Sequence, residues 1–127
     1  MAISISLEEH HNYLLLDVDG RIDALSALIL KRAMDYVIHN SHKHLLLNFS
    51  QLEAINSDGL KVIYNSRQKL TFGRIMAVCH PSSAVRGLMA LSGIDELMPI
   101  ASDIMEGEML LHDSELAQGL IPQQSLY

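Results

Sequence analysis

The sequence is short of cysteine, of basic residues and of long apolar runs, and each shortage excludes a class of protein. Its single cysteine, Cys79, cannot close a disulfide within the chain, so a reducing compartment is the expectation. No apolar run approaches the roughly 18 residues that would suggest a membrane span. Residues 1–10 lack the basic start and long apolar core of a secretory signal. Together these predict a cytoplasmic protein without membrane insertion, in which the Asn48-Phe49-Ser50 sequon stays idle. Nine Lys and Arg against fifteen Asp and Glu leave a net charge of −6, and the few cations are scattered. A nucleic-acid binder needs a concentrated basic surface, so nucleic acid is excluded as a partner.

Catalytic signatures are missing as well. The seven glycines stand apart, so no phosphate-cradling loop can form, and there is no Gly-x-Ser-x-Gly elbow. Cys79 and His80 are adjacent on a predicted strand and would point to opposite faces, a poor nucleophile–base pair. Cys79 reads instead as a small buried hydrophobe. Seven histidines include His39, His42 and His44, with His10 and His11 able to lie near them. No Cys-x-x-Cys or His-Glu-x-x-His spacing accompanies them, so the expectation is a polar histidine-rich turn, without metal or cofactor. His39 suits a helix C-terminus, where the dipole favours a cation. No enzymatic activity is expected.

What is present is a domain-sized chain that is 49% apolar. At this length, folding should bury on the order of 65–70% of the unfolded surface. Ile3, Ile5 and Leu7 alternate with polar residues, as in a half-buried strand, and a turn at residues 9–12 leads back through Tyr13–Leu16 as a hairpin. Gly20 breaks that pattern, and Asp23 is placed to cap a helix to about Ile38. The run 45–49 reads as a central strand covered on both faces. A second helix opens at Ser57 and ends at Phe72-Gly73, with Leu60, Ile63, Tyr64 and Leu70 on its apolar side. Residues 75–79 form another buried strand. A third helix carries Val85, Leu88 and Met89 and stops at Gly93. Residues 97–100 suggest a short edge strand, and Asp103 with Glu106 caps a last helix to about Leu111. The order ββαβαβα(β)α implies an α/β domain: a mixed, mostly parallel sheet of four or five strands packed with about four helices. One domain over residues 1–116 and a loose tail over 117–127 complete the expectation. The first helix is apolar over more than half its circumference, through Leu25, Ile29, Leu30, Ala33, Met34, Tyr36, Val37 and Ile38. Deep packing is the favoured reading of that arc, and a partner or homodimer surface the alternative.

The most informative stretch is residues 45–63, LLLNFSQLEAINSDGLKVI, where a buried strand hands over to a helix. Ser57 fits the N-cap and Asp58 the first turn, where an oxygen acceptor and a negative charge satisfy free N–H groups. This segment resembles the signature of STAS domains of the anti-sigma factor antagonist family, an apolar strand followed by Asp-Ser-small-Gly-Leu. Gly20-Arg21-Ile22-Asp23 resembles the family's Gly-x-Leu-Asp, and Gly73-Arg74-Ile75, the helix from Val85 to Leu91 and Ser92-Gly93-Ile94 resemble its closing elements. The likeness runs from residue 2 to about 112.

The resemblance implies a partner-switching regulator that binds a serine kinase acting as anti-sigma factor. Phosphorylation at Ser57 would break that complex and a serine phosphatase would restore it. The implied partner-binding residues are Asn56, Ser57, Asp58, Gly59 and Lys61, with Gly20, Arg21 and Asp23 from the neighbouring turn. Two positions depart from the pattern. Asn56 replaces the family's aspartate, and Asp58 stands where a small residue is usual. The alternative is a constitutive STAS scaffold, or an accessory subunit of a transporter or sensing complex, working without phosphotransfer. A nucleotide-binding or other small-molecule role is a third reading.

Overall fold

The computed structural model describes residues 3–71 and 73–117, with side chains to residue 112. The alternating N-terminal residues form β1 (Ser4–Glu9), which turns back into a ten-residue β2 (Tyr13–Ile22). Then follow α1 (Ala24–Asn40), β3 (His44–Asn48), β4 (Leu52–Ile55) and α2 (Ser57–Gln68). The chain continues through β5 (Met76–Cys79), α3 (Ser83–Ser92), a 3-10 turn (Ile94–Glu96), β6 (Ile100–Ala101) and α4 (Ile104–Ala117). The sheet order is β1-β2-β3-β5-β6, with β4 paired to the far end of β2. Only β1–β2 is antiparallel; every other pairing is parallel. The α/β class and the mostly parallel sheet agree with the sequence reading, and β4 is an added sixth strand.

Gly20 does not end β2. With φ +104°, a region in which a side chain is strained, it lies inside the strand where the register shifts. Residues 13–17 pair with β3, and residues 20–22 pair with β4. One strand thereby changes partner along its length and carries Arg21–Asp23 to the start of α2. The second helix also stops earlier than expected, at Gln68; Phe72 lies outside the described residues. The last strand begins after Pro99 rather than including it, and α4 runs on to Ala117. The tail expected from 117 lies, from residue 118, outside the described residues.

Side-chain alternation divides the core between the two faces of the sheet. Leu14, Leu16, Val18, Leu45, Leu47 and Val78 pack with buried residues of α1, α2 and α3. Tyr13, Leu15, Leu46, Ala77, Cys79 and Ala101 pack with Leu111 of α4. The run Leu45–Leu47 is fully buried, as a strand covered on both faces requires. Arg74 fastens one end of the sheet: its Nε donates to the Lys43 carbonyl (3.0 Å) and Nη1 to the Ile38 carbonyl (2.9 Å). Gly93, at φ +81°, ends α3 as a left-handed C-cap. No helix among the described residues is long and apolar enough to cross a membrane.

Candidate functional site at the start of the second helix

Two helices begin at the same end of the sheet, joined through its edge. The Asn56 N–H donates to the Ile22 carbonyl (3.0 Å), and the Gly20 N–H donates to the Gln51 carbonyl (2.9 Å). These bonds bring Arg21, Ile22 and Asp23 beside Ala54, Ile55 and Asn56, around one shallow groove. The two segments singled out in the sequence are therefore neighbours. Arg21 is exposed and lies 3.5 Å from Glu53. Asp23 caps α1 as expected, accepting from the Ser26 N–H at 2.9 Å. Ser26 Oγ contacts Asp23 Oδ1 at the same distance and completes the capping box by accepting from the Asp23 N–H at 2.8 Å. The bond from the Ser26 backbone, followed by the one from its side chain, holds the Asp23 carboxyl below the usual carboxylate range.

At α2 the cap falls one residue earlier than the sequence suggested. Asn56, not Ser57, is the N-cap: its backbone is extended and its Oδ1 accepts from the Gly59 N–H at 2.9 Å. Asn and Ser are both good caps, so propensity could not choose between them. Ser57 becomes the first helical residue. It is exposed, and among the described residues its hydroxyl makes no hydrogen bond. Asp58 is also exposed, in the first turn, and Asn56 Nδ2 reaches its carboxylate at 3.5 Å. The two departures from the family pattern are thus one arrangement. An aspartate at 56 would face the Asp58 carboxylate, whereas an asparagine both caps the helix and donates towards it.

Gly59 is buried. A Cβ there would lie 2.6 Å from Ile22 Cγ2 and 2.7 Å from Ile55 Cγ1, so glycine is what lets α2 approach the ends of β2 and β4. Gly20 is buried too. These two glycines shape the site from beneath and present little surface themselves.

On the far side of Ser57 lies an apolar groove of about 230 Å³, lined by Ser57, Leu60, Lys61, Tyr64, Ser92 and Ile94. Sequence reading placed Lys61 here and put Leu60 and Tyr64 on the apolar side of the helix, and Leu60 does pack, partly buried, against the core. Tyr64 is in fact exposed. The signal that could have found the groove is the tyrosine itself, lying among polar neighbours on a helix with one narrow apolar stripe.

The remaining chemistry-bearing residues lie elsewhere. Cys79 is buried, and its thiol is pushed up to about 12 by desolvation, then by Asp17 and Asp103. That agrees with its reading as a packed hydrophobe. His44 is buried with Nδ1 accepting from the Ile75 N–H (3.0 Å), His10 stacks on Tyr13, and His39 Nδ1 lies 2.8 Å from the Asp35 carbonyl. Among the described residues no three potential ligands converge on a metal position.

The chain matches the STAS domain family over residues 4–107. It is 32% identical over 103 residues to the anti-sigma F factor antagonist of Paenibacillus polymyxa, covering 79% of this chain and 87% of that protein. The crystal structure of an anti-sigma factor antagonist from Mycobacterium paratuberculosis superimposes with TM-score 0.82 at 25% identity, over 87% of this chain and 95% of that one. The Bacillus cell fate determinant SpoIIAA in its phosphorylated form shares the fold at TM-score 0.65 and 16% identity, over 84% and 99% of the two chains. The chain therefore belongs to the STAS domain family, among the anti-sigma factor antagonists.

Proposed function

We propose that this protein is a partner-switching regulator and not a catalyst, built on one STAS domain over residues 1–116. Its unmodified form binds an anti-sigma factor that is also a serine kinase, and phosphorylation of Ser57 ends the complex. The observation that carries this reading is the exposed Ser57 hydroxyl, which has no structural duty because Asn56 has taken over the cap. The docking surface comprises Asn56, Ser57, Asp58 and Lys61, the segment from Arg21 to Asp23 at the end of β2, and the apolar groove of Leu60 and Tyr64, with the buried Gly20 supporting it from beneath. Gly59 sets its height against the sheet.

The chemistry of the switch is electrostatic. A phosphate adds about −1.5 to −2 charges and three acceptor oxygens, and a helix N-terminus accommodates it without unfolding. The first turn of α2 already carries Asp58, so the modification turns a singly charged surface into a strongly anionic one. A partner rim complementary to the net charge of −6 would speed association, and the on-rate would fall with salt. A serine phosphatase resets the protein. SpoIIAA, solved in unphosphorylated and phosphorylated forms, supports the view that this fold can carry such a modification.

Calorimetry with the anti-sigma factor tests the reading. Ser57→Asp should weaken binding by at least about a hundredfold, a loss of roughly 3 kcal/mol. Ser57→Ala should bind like the wild type and keep binding when ATP is added. Equal binding by all three proteins, with and without ATP, contradicts the switch.

The permanent carboxylate of Asp58 beside Ser57 supports a second reading, a constitutive STAS subunit of a larger assembly that needs no phosphotransfer. Co-purification with such an assembly, indifferent to Ser57→Asp, selects it.

A further inference from the structure

We propose that a second copy of this chain covers the free edge of β1 and the neighbouring face of α1, through a twofold axis at Ser6. Contrary to the deep packing favoured by its composition, α1 leaves a stripe of large apolar side chains in solvent. Leu25 is 74% exposed, Tyr36 63%, Leu28 53% and Ile29 48%, at the i, i+3, i+4 and i+11 spacing of one helix face. Ile29 and Tyr36 share an apolar groove with Ile5 and Leu7 of β1, so the stripe continues onto the last strand of the sheet.

Among the described residues no strand pairs with the outer side of β1. This strand has no proline, lysine or bulge, and of the devices that usually block pairing at an edge it carries only the charges of Glu8 and Glu9 at one end. The His10 N–H···O=C Tyr13 bond (2.9 Å) fixes the alternation of the β1–β2 ladder. Counted from it, the backbone groups of Ile5, Leu7 and Glu9 point away from β2. An antiparallel copy centred on Ser6 uses those groups and sets Ile5 opposite the other Leu7. Glu8 then meets Ser4 and Glu9 meets Ile3, so no carboxylates oppose each other. Glu9 is further neutralised by Lys43 at 2.8 Å. The strand is self-complementary in sequence as well as in hydrogen bonding, which is why a second copy fits it. The same axis turns the exposed stripes of the two α1 helices towards each other across the seam, joining the two sheets into one.

Sedimentation of the full chain from about 1 to 300 µM tests this, a range that spans the weak self-association expected where a six-residue edge and one helix face form the contact. Wild-type protein should pass from monomer to dimer within that range. Leu7→Lys and Ile29→Lys, both at exposed positions, should each raise the dissociation constant by at least about tenfold while melting cooperatively. Leu91→Lys, on α3 and away from the seam, should leave it unchanged. A wild-type monomer throughout, or a dimer indifferent to both substitutions on this face, overturns the proposal.

Discussion

The starts of α1 and α2 solve the same problem with different consequences. At α1, Asp23 and Ser26 exchange hydrogen bonds in a closed capping box, and the buried Ser26 hydroxyl also has the Arg21 carbonyl at 3.0 Å as an alternative acceptor. At α2, Asn56 caps alone, because the residue three positions on is Gly59 and has no side chain to return the bond. One serine is thereby locked into the structure, while the other is left in solvent. Accessibility of a hydroxyl at this end of the sheet follows from the division of labour, since a hydroxyl that caps a helix is not free to leave it.

The largest effect that would sharpen this contrast is expected at Gly59. Gly59→Val forces a side chain into space already held by Ile22 and Ile55. It should destabilise the fold by about 1–3 kcal/mol, read as a melting temperature lower by roughly 5–10 °C, and weaken partner binding with it. Next comes the serine pair. Ser26→Ala leaves the Asp23 N–H and carboxylate without their side-chain partner and should destabilise by about 1–2 kcal/mol. Ser57→Ala breaks no bond and should stay within about 0.5 kcal/mol of wild type in urea melts. Equal losses at the two serines would erase the distinction.

A smaller effect appears in acid. The Asp23 carboxyl titrates below its ordinary value in the folded state, so its contribution is complete above about pH 4 and is lost as the pH falls further. Asp23→Asn, which can still cap, should leave stability near pH 7 almost unchanged and flatten its decline below pH 4. Asp35 is held low in the same direction by Lys69 and then Lys31, each 2.9 Å away, so part of the acid slope will remain.

Much of the fold was legible because periodicity and turn chemistry agreed. The triple leucine of β3, the Asp23 cap and the Gly93 stop each follow from local physics. What the sequence hid was long-range. Leu52–Ile55 is only four residues long and becomes a strand because β2 bends to meet it, and Gly20, which looks like a terminator, makes that bend. The exposed stripe of α1 was hidden for another reason. An apolar arc looks the same whether a sheet or a partner covers it, and only the position of β1 shows where the sheet runs out. At the candidate site, the two segments singled out in the sequence lie side by side, but the cap was placed one residue late, because Asn56 and Ser57 compete equally by propensity.

The most direct test is to incubate the protein with its anti-sigma factor and ATP and locate the phosphate by mass spectrometry. Modification of Ser57, with none on Ser26, is the predicted result. Phosphate on any other residue, or no transfer at all, would contradict the account of Ser57 as the switch.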